Sequence, residues 1–373
     1  MINWFKRNIG EDFVSKESAS KVVYNSDASQ IEGNTVLVVR PGNAKEVHQS
    51  LLFVKRNHSS ITVRGGGTGL VGSCVPENSV VMDMSRMNKI LSIDKDYVVV
   101  EPGIILDDLN EKLGDKFFPV VPSSSKSCTI GGMIACNAVG TKAIKYGKTG
   151  NWIREIEIID GDGRHRKAEL KDIVGKEGVT GVIISAKLRI IDKPKKVNVE
   201  LLGFETIDDM MFKLRELEDV NAVEFISKKA SKFLDLKEKN YLLIEKDSDV
   251  NIGLDLWEMR DGLYPQLAKN GYVLIEDPKV PLEKMEKFLK WLEENEIPSF
   301  GHIMAGIIHP CFMNDIKLDE LYEKVEDFNG EISGEHGIGM RKKQYTSKEF
   351  RANIKNLKNK YDRDNIINRG KLI

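Results

Sequence analysis

Four glycines fall within five positions in Arg64-Gly-Gly-Gly-Thr-Gly-Leu70, directly after the β-branched run Ile61–Val63. Peptide this bare adopts backbone dihedrals closed to other residues and lets a ligand approach its N–H groups, the makings of a phosphate cradle. The segment contains Gly67-x-Gly69-x-x-Gly72, the spacing of a dinucleotide fingerprint. That fingerprint has to open a helix. Here Ser73-Cys-Val-Pro-Glu-Asn-Ser79 follows, and then another strand-like run, so a doubly wound nucleotide domain is excluded. Gly147-Lys-Thr149 ends like a Walker loop, but the preceding glycine, Gly140, stands two residues too far upstream. Two readings stay open for the loop: a β-turn without ligand, or part of a cradle of another kind.

Two further segments favour the cradle. Pro122-Ser-Ser-Ser-Lys-Ser-Cys-Thr-Ile-Gly-Gly132 is rich in small residues and hydroxyls, and continues through Ala135 and Asn137 to Gly140. Tyr146-Gly147 comes next, and Gly175-Lys-Glu-Gly-Val-Thr-Gly181 leads into a strand beginning at Val182. Three glycine-rich turns in one β-rich region suggest a long cofactor lying along several loops. Strands are predicted at Val36–Val39, Ile61–Val63, Val80–Met84, Val98–Val100, Ile153–Ile159 and Val182–Ile191, with a tight turn at Asp160-Gly-Asp-Gly163. Helices are sparse there, at Ala44–Asn57 and Ile105–Leu113. Beyond residue 192 the texture shifts to amphipathic helices. One face carries Leu282, Met285, Phe288, Leu289 and Leu292, a second Leu318, Leu321, Val325 and Phe328, and a third Phe350, Ile354, Leu357 and Tyr361. The boundary is expected at Ile191-Asp-Lys-Pro-Lys-Lys196, where proline and charge interrupt the pattern.

Length and charge narrow the class. A chain of 373 residues has room for about two or three domains. Fifty-six basic against 57 acidic residues give a net charge of −1, which argues against a nucleic-acid partner. No apolar run approaches about 18 residues, and no transmembrane segment or signal peptide is expected. The cysteines, at 74, 128, 136 and 311, show no C-x-x-C spacing, so neither a disulfide framework nor an iron–sulfur cluster is expected. They read as small buried residues in a reducing compartment, and a cytoplasmic location follows. Residues 1–20 read as a local cap, with Trp4, Phe5 and Ile9 as apolar points; a docking helix is the alternative.

Three of the six histidines fall in two glycine-flanked segments, Gly301-His-Ile-Met-Ala-Gly-Ile-Ile-His-Pro310 and Gly334-Glu-His-Gly337. Imidazole nitrogens with a carboxylate suit zinc, iron or manganese, and an open position admits substrate. Taken alone, two histidines seven apart are as compatible with ordinary buried, hydrogen-bonded residues. Arg260, in Leu256-Trp-Glu-Met-Arg260, is either an exposed helix residue or a clamp for a carboxylate, which a guanidinium holds through two parallel bonds.

Taken in order, Arg-Gly-Gly-Gly-Thr, Thr-Ile-Gly-Gly, Tyr-Gly, Glu-Gly-x-x-Gly-Val, Gly-Glu-His-Gly and the ending Tyr361-Asp-Arg-Asp-Asn-Ile-Ile-Asn-Arg-Gly-Lys371 resemble the vanillyl-alcohol-oxidase and p-cresol-methylhydroxylase superfamily. Within it, the chain is similar to the FAD-linked oxidases that include D-lactate dehydrogenases and the glycolate oxidase flavin subunit. The resemblance implies an α+β fold. Its parts would be an N-terminal segment at 1–30, a PCMH-type FAD-binding domain at 31–191, and a smaller antiparallel-sheet-plus-helices cap at 192–373. It implies FAD contacts at Arg64, Gly65, Gly66, Gly67, Thr68, Gly69 and Leu70. Further contacts are implied at Pro122, Ser127, Thr129, Ile130, Gly131, Gly132, Ala135, Asn137, Gly140, Tyr146 and Gly147, and at Glu177, Gly178, Gly181, Val182 and Asn368. Some relatives attach FAD through a histidine near the first glycine loop; Thr68 stands there instead, so the FAD is expected to be noncovalent.

The resemblance also implies a divalent metal (zinc, manganese or iron) on His302, His309 and Glu335. His336 would be the base and Arg260 the carboxylate clamp, with hydride passing to flavin N5. The chain departs from the family where Gly-His-x-Gly-Asp-Gly-Asn-x-His is usual: Met304-Ala-Gly-Ile307 replaces the polar stretch between the ligands, which predicts an altered surrounding shell. Relatives acting on 2-hydroxyglutarate carry a threonine and a lysine where Tyr264 and Ile275 stand, which points to a monocarboxylate, D-lactate or glycolate. A noncatalytic flavin-binding electron-relay subunit is the alternative. An alkyl-glycerone-phosphate synthase or an aromatic alcohol oxidase fits less well with the Gly-Glu-His-Gly turn. The electron acceptor must come from outside, as a quinone, a cytochrome or an iron–sulfur subunit, and any membrane association would run through that partner.

Overall fold

The computed structural model describes residues 1–194 and 196–373; Lys195, within the boundary segment expected at 191–196, lies outside the described residues. The chain divides into two units. One comprises Met1–Ala138, Lys148–Lys193 and His336–Ile373, the other Val139–Gly147 and Pro194–Glu335.

The first unit begins with the helix Ile2–Ile9. Spacings of three and four put Ile2, Phe5 and Ile9 on one face, which joins the core, and Trp4 stacks on Phe53 with ring centroids 4.1 Å apart. The segment is thus a local cap. Phe53 belongs to the helix Ala44–Arg56, whose first turn is capped by the Asn43 side chain accepting from the Glu46 N–H. Val47, Leu51 and Val54 of that helix are fully buried. They help cover a four-stranded sheet ordered Val14–Ser15, Asn34–Val39, Glu77–Asp83, Ile61–Arg64, with its last three strands parallel. The parallel strands are almost continuously apolar, as strands buried on both faces must be. A five-stranded antiparallel sheet follows, ordered Ile90–Ile93, Tyr97–Val100, Val182–Arg189, Ile153–Ile159, His165–Lys167. The Asp160–Gly163 turn joins its last two strands, with Asp160 accepting from the N–H groups of Asp162 and Arg164. The chain's end returns to this unit: Ile367 pairs in parallel with Ile61.

The second unit is a six-stranded antiparallel sheet ordered Val197–Phe204, Asn240–Asp247, Ala222–Ile226, Ser299–Gly301, His309–Phe312, Leu274–Ile275. Its helices include Ile207–Arg215, Leu282–Glu294 and Leu318–Asp327. The predicted apolar faces are the buried ones: Met285, Phe288, Leu289 and Leu292 in one helix, Leu321 and Val325 in another. Leu282, at the first position of its helix, is exposed. The mixture of helix and sheet, with an antiparallel sheet and helices in the second unit, is the α+β class expected from the sequence. The strands at 197–204, 222–226 and 240–247 carry no sequence signal strong enough to have been picked out.

Candidate active site

In the first unit, three backbone positions require glycine. A Cβ on Gly65 would overlap Thr129 Oγ1, one on Gly66 would overlap the Ser127 carbonyl, and Gly67 sits at φ +69° against the Arg64 guanidinium. The first two glycine-rich segments therefore lie against each other. The Gly67 carbonyl accepts from the Ala28 N–H at 3.1 Å, and Arg64 Nη1 donates to the Ser26 carbonyl at 2.7 Å, so the loop is fixed from below. Thr129 caps the short helix Ile130–Cys136 by accepting from the Gly132 N–H, while the Gly131 N–H donates to the Pro102 carbonyl. Asn137 ends that helix at φ +53° and accepts from the Gly150 N–H. Thr68, Leu70 and Pro122 are half-buried. Gly140, Tyr146 and Gly147 belong to the other unit.

The third glycine-rich segment closes on the same loops. The Glu177 N–H donates to the Ala135 carbonyl. Its buried carboxylate accepts from the Ser73 hydroxyl and from the N–H groups of Ile338 and Gly339, at 2.6 and 2.9 Å. Burial pushes the Glu177 carboxyl up despite these donors. Asn368 accepts from the Val63 N–H and donates to the Glu177 carbonyl, both at 2.8 Å. These two side chains thus hold the loops together. Gly178 lies at φ +69°, and Gly181 leads into the strand that opens at Val182.

Two observations fit this unit to a dinucleotide with a diphosphate. One is the bare peptide at Gly65–Gly67. The other is Lys371, which is 1% exposed with its ammonium lacking any hydrogen-bond partner. A buried unsatisfied cation is costly, and an anionic ligand group would satisfy it.

In the second unit, the hairpin formed by Ser299–Gly301 and His309–Phe312 brings the two histidines together. His302 follows the first strand and His309 opens the second. Their ring centroids are 5.7 Å apart, nearly perpendicular. His302 Nε2 lies 3.5 Å and His309 Nε2 3.0 Å from Glu335 Oε1. The three ligand atoms all fall within 4.8 Å of one another. Each imidazole is backed through Nδ1: His302 by the Glu224 carboxylate, His309 by the Glu276 carbonyl at 3.1 Å. An acceptor at Nδ1 holds a proton there and turns Nε2 toward the cluster, as the nitrogen that would take a metal. Asp277 sets the Glu335 turn, its carboxylate accepting from the Ser333 hydroxyl and the Glu335 N–H, its carbonyl from the Gly334 N–H. Two nitrogens and one carboxylate with Nδ1 backing suit a divalent transition metal. The short turn Ile303–Ala305 replaces the polar stretch usual between such ligands, and the backing comes from Glu224 and Glu276, far away in sequence.

Arg260 lies in the helix Asp255–Asp261 and is buried, not surface-exposed. Its Nε and Nη2 donate to Glu224 Oε2 at 2.8 and 2.6 Å, and Nη1 lies 3.4 Å from Asp261. The guanidinium carbon sits 5.0 Å from the Phe300 ring centroid. The charges tune one another. Burial works to lower the His302 pKa, but Glu224 and Glu335 overcome it and push it up to about 10. Burial favours protonated Glu335, yet the two imidazoles hold it well below the carboxylate range. His336 follows Glu335 directly in the chain and is half-buried. Tyr264 reaches the Val273 carbonyl at 3.4 Å, and Ile275 lies in the strand Leu274–Ile275. Glu224, Glu276, Asp277 and Lys371 were not marked as site residues by sequence reasoning. Lys371 falls in the ending Tyr361–Lys371 quoted for the resemblance, and nothing local distinguishes Glu224.

Comparison with known proteins is consistent with both units. Residues 35–169 match the FAD binding domain family, and 238–372 match the C-terminal domain of the FAD linked oxidases. The chain is 27% identical to the glycolate oxidase subunit GlcD of Bacillus subtilis (strain 168), over 97% of this chain and 94% of that protein. It is 27% identical to a D-lactate dehydrogenase of Anaerostipes hadrus, over 98% and 93%. It is 25% identical to a D-2-hydroxyglutarate dehydrogenase of Stutzerimonas stutzeri (strain A1501), over 90% of each. Among solved structures, an alkyldihydroxyacetonephosphate synthase shares the fold with a TM-score of 0.68 at 16% identity, covering 98% of this chain and 85% of that one.

Proposed function

Because the chain belongs to the FAD-linked oxidases, we propose that it oxidises a small 2-hydroxy monocarboxylic acid, D-lactate or glycolate, to the 2-oxo acid. The chain is an FAD-dependent 2-hydroxy acid dehydrogenase or oxidase. The first unit serves as the FAD-binding part and the second as the substrate part.

Bound FAD supplies the hydride acceptor, held noncovalently by the glycine cradle, and a divalent ion on His302, His309 and Glu335 supplies Lewis acidity toward the substrate hydroxyl. The remaining work falls to the chain's own groups. Arg260 presents the edge of its guanidinium not bonded to Glu224 to the substrate carboxylate. His336 accepts the hydroxyl proton, a role its neutral imidazole can fill as a general base. Asp277 keeps Glu335, and with it the start of the His336 turn, in place. Tyr264 and Ile275 offer no cation to a second carboxylate, which supports a monocarboxylate. Electrons leave to an external quinone, cytochrome or iron–sulfur subunit. Among the described residues no helix is long and apolar enough to cross a membrane.

The observation that carries this reading is the cluster of His302, His309 and Glu335 beside a buried arginine. The test is anaerobic addition of D-lactate or glycolate to the FAD- and metal-loaded protein. Loss of the oxidised flavin's visible absorbance supports it. Bleaching by D-2-hydroxyglutarate alone overturns the monocarboxylate assignment, and no bleaching by any 2-hydroxy acid returns the chain to an electron-relay role.

A further inference from the structure

Glu224 occupies the middle of the strand Ala222–Ile226, fully buried, and meets two groups that are remote in sequence. One oxygen takes both the Nε and Nη2 donors of Arg260, and the other backs Nδ1 of His302. A carboxylate can accept from both because it carries no proton of its own. Pairing removes most of the net charge that Arg260 would otherwise present. A buried ion pair with good geometry is close to neutral to its surroundings, and Asp261 stands near the remaining guanidinium nitrogen. Glu335 is closed against the two imidazoles. A carboxylate entering this unit therefore finds no unmatched cation in the cluster until a divalent ion joins it.

We propose that Glu224 is a positioning residue with a double role, aiming His302 at the metal while neutralising Arg260, so that carboxylate affinity at this site depends on the metal. The proposal rests on the functional reading above and deepens it. Arg260 supplies direction and hydrogen bonds, and the ion supplies attraction. Linkage makes the coupling reciprocal: whatever factor the metal adds to carboxylate affinity, the carboxylate adds to metal affinity.

Glu224→Gln separates the two roles. Both neighbours are donors, and an amide offers one acceptor oxygen and one NH2 group, so it can serve only one of them. With its oxygen on Arg260, its NH2 faces His302 Nδ1 and drives the imidazole proton to Nε2, where the metal should bind. The same substitution leaves Arg260 with an unmatched charge. The variant should lose metal affinity and gain carboxylate affinity in the absence of metal, a combination that a merely structural glutamate would not produce.

The experiment uses FAD-loaded full-length protein, stripped with a chelator or reloaded with zinc, and titrates pyruvate by calorimetry. In the wild type, stripping should weaken pyruvate binding at least about tenfold, and pyruvate should tighten zinc by a matching factor. In Glu224→Gln, zinc affinity measured by chelator competition should fall about 10- to 100-fold. The stripped variant should bind pyruvate more tightly than stripped wild type, while Glu224→Asp, which keeps the charge, should not. Equal pyruvate affinity of stripped and zinc-loaded wild type overturns the proposal without any variant, should Glu224→Gln fail to fold. Unchanged zinc affinity in a folded Glu224→Gln also overturns it. A wild type that binds no zinc, manganese or iron at all overturns the functional reading itself, and this proposal with it.

Discussion

Replacing Lys371 by methionine should stabilise the protein without its cofactor and weaken cofactor binding. Lys371 is 1% exposed and its ammonium has no hydrogen-bond partner. Burial pulls its pKa down, with the Glu77 carboxylate opposing. A buried polar group left unsatisfied costs about 1–3 kcal/mol, so an apolar side chain of similar length should recover about that much. In a body of 150–250 residues, each kcal/mol moves the melting temperature by about 2–4 °C. Bound FAD reverses the balance. A hydrogen bond to a charged donor contributes about 1.5–3 kcal/mol, so the methionine variant should bind FAD about ten- to a hundredfold more weakly. The pH dependence has a definite sign. Because the folded-state pKa lies below the 10.5 of the unfolded chain, the unfolded state holds more protons between those values. Cofactor-free wild type should therefore gain stability as pH rises through that window, and Lys371→Met should not. Thermal melts with and without FAD, and fluorescence titration of FAD, read all three effects. A variant that melts no higher than wild type without FAD and binds FAD as tightly would refute the idea that Lys371 awaits an anionic group.

Three other outcomes are expected. His336→Ala should lower turnover about 10²- to 10⁴-fold with the flavin spectrum unchanged; full activity removes it as the base. Phe5→Ala should cost about 3–5 kcal/mol of stability, because Phe5 is fully buried under the N-terminal helix; denaturant melts within about 1 kcal/mol of wild type would contradict that role. The Glu177 carboxyl is raised above its ordinary 4.5, so its ionised form is the disfavoured one in the fold. The stability of wild type relative to Glu177→Gln should then fall as pH climbs from 4.5 through the raised value, and thermal scans showing that margin widening would reverse the sign.

What was readable from the chain was local. The strand Ile153–Ile159 is a β-branched run and the helix Leu282–Glu294 keeps a helical apolar spacing, so neither needs tertiary information. The glycine loops announced close backbone approach, and the two histidines with Glu335 stood out by their flanking glycines. The strand Ala222–Ile226 did not, because Glu224 interrupts its apolar pattern. A carboxylate can be buried there only because partners 36 and 78 residues away neutralise it. The helix Ile130–Cys136 was hidden for the opposite reason. Its two glycines argue against helix, and the Thr129 cap with surrounding packing outweighs them. Lys371 closes the ending that carried the resemblance, yet its isolation in the interior is a three-dimensional fact.

The segment 366–372 has a consequence for how the first unit folds. Ile367 pairs beside Ile61, Asn368 joins Val63 to Glu177, and Lys371 contributes a buried ammonium without a hydrogen-bond partner. Contacts spanning 305 positions form late, since loop closure over such separations is slow. The edge of the Ile61–Arg64 strand is thus completed only when segments far apart in sequence have met. Without residues 367–371, the Ile61–Arg64 strand and the Glu177 carbonyl would lose these partners, and the first unit would have to close without them.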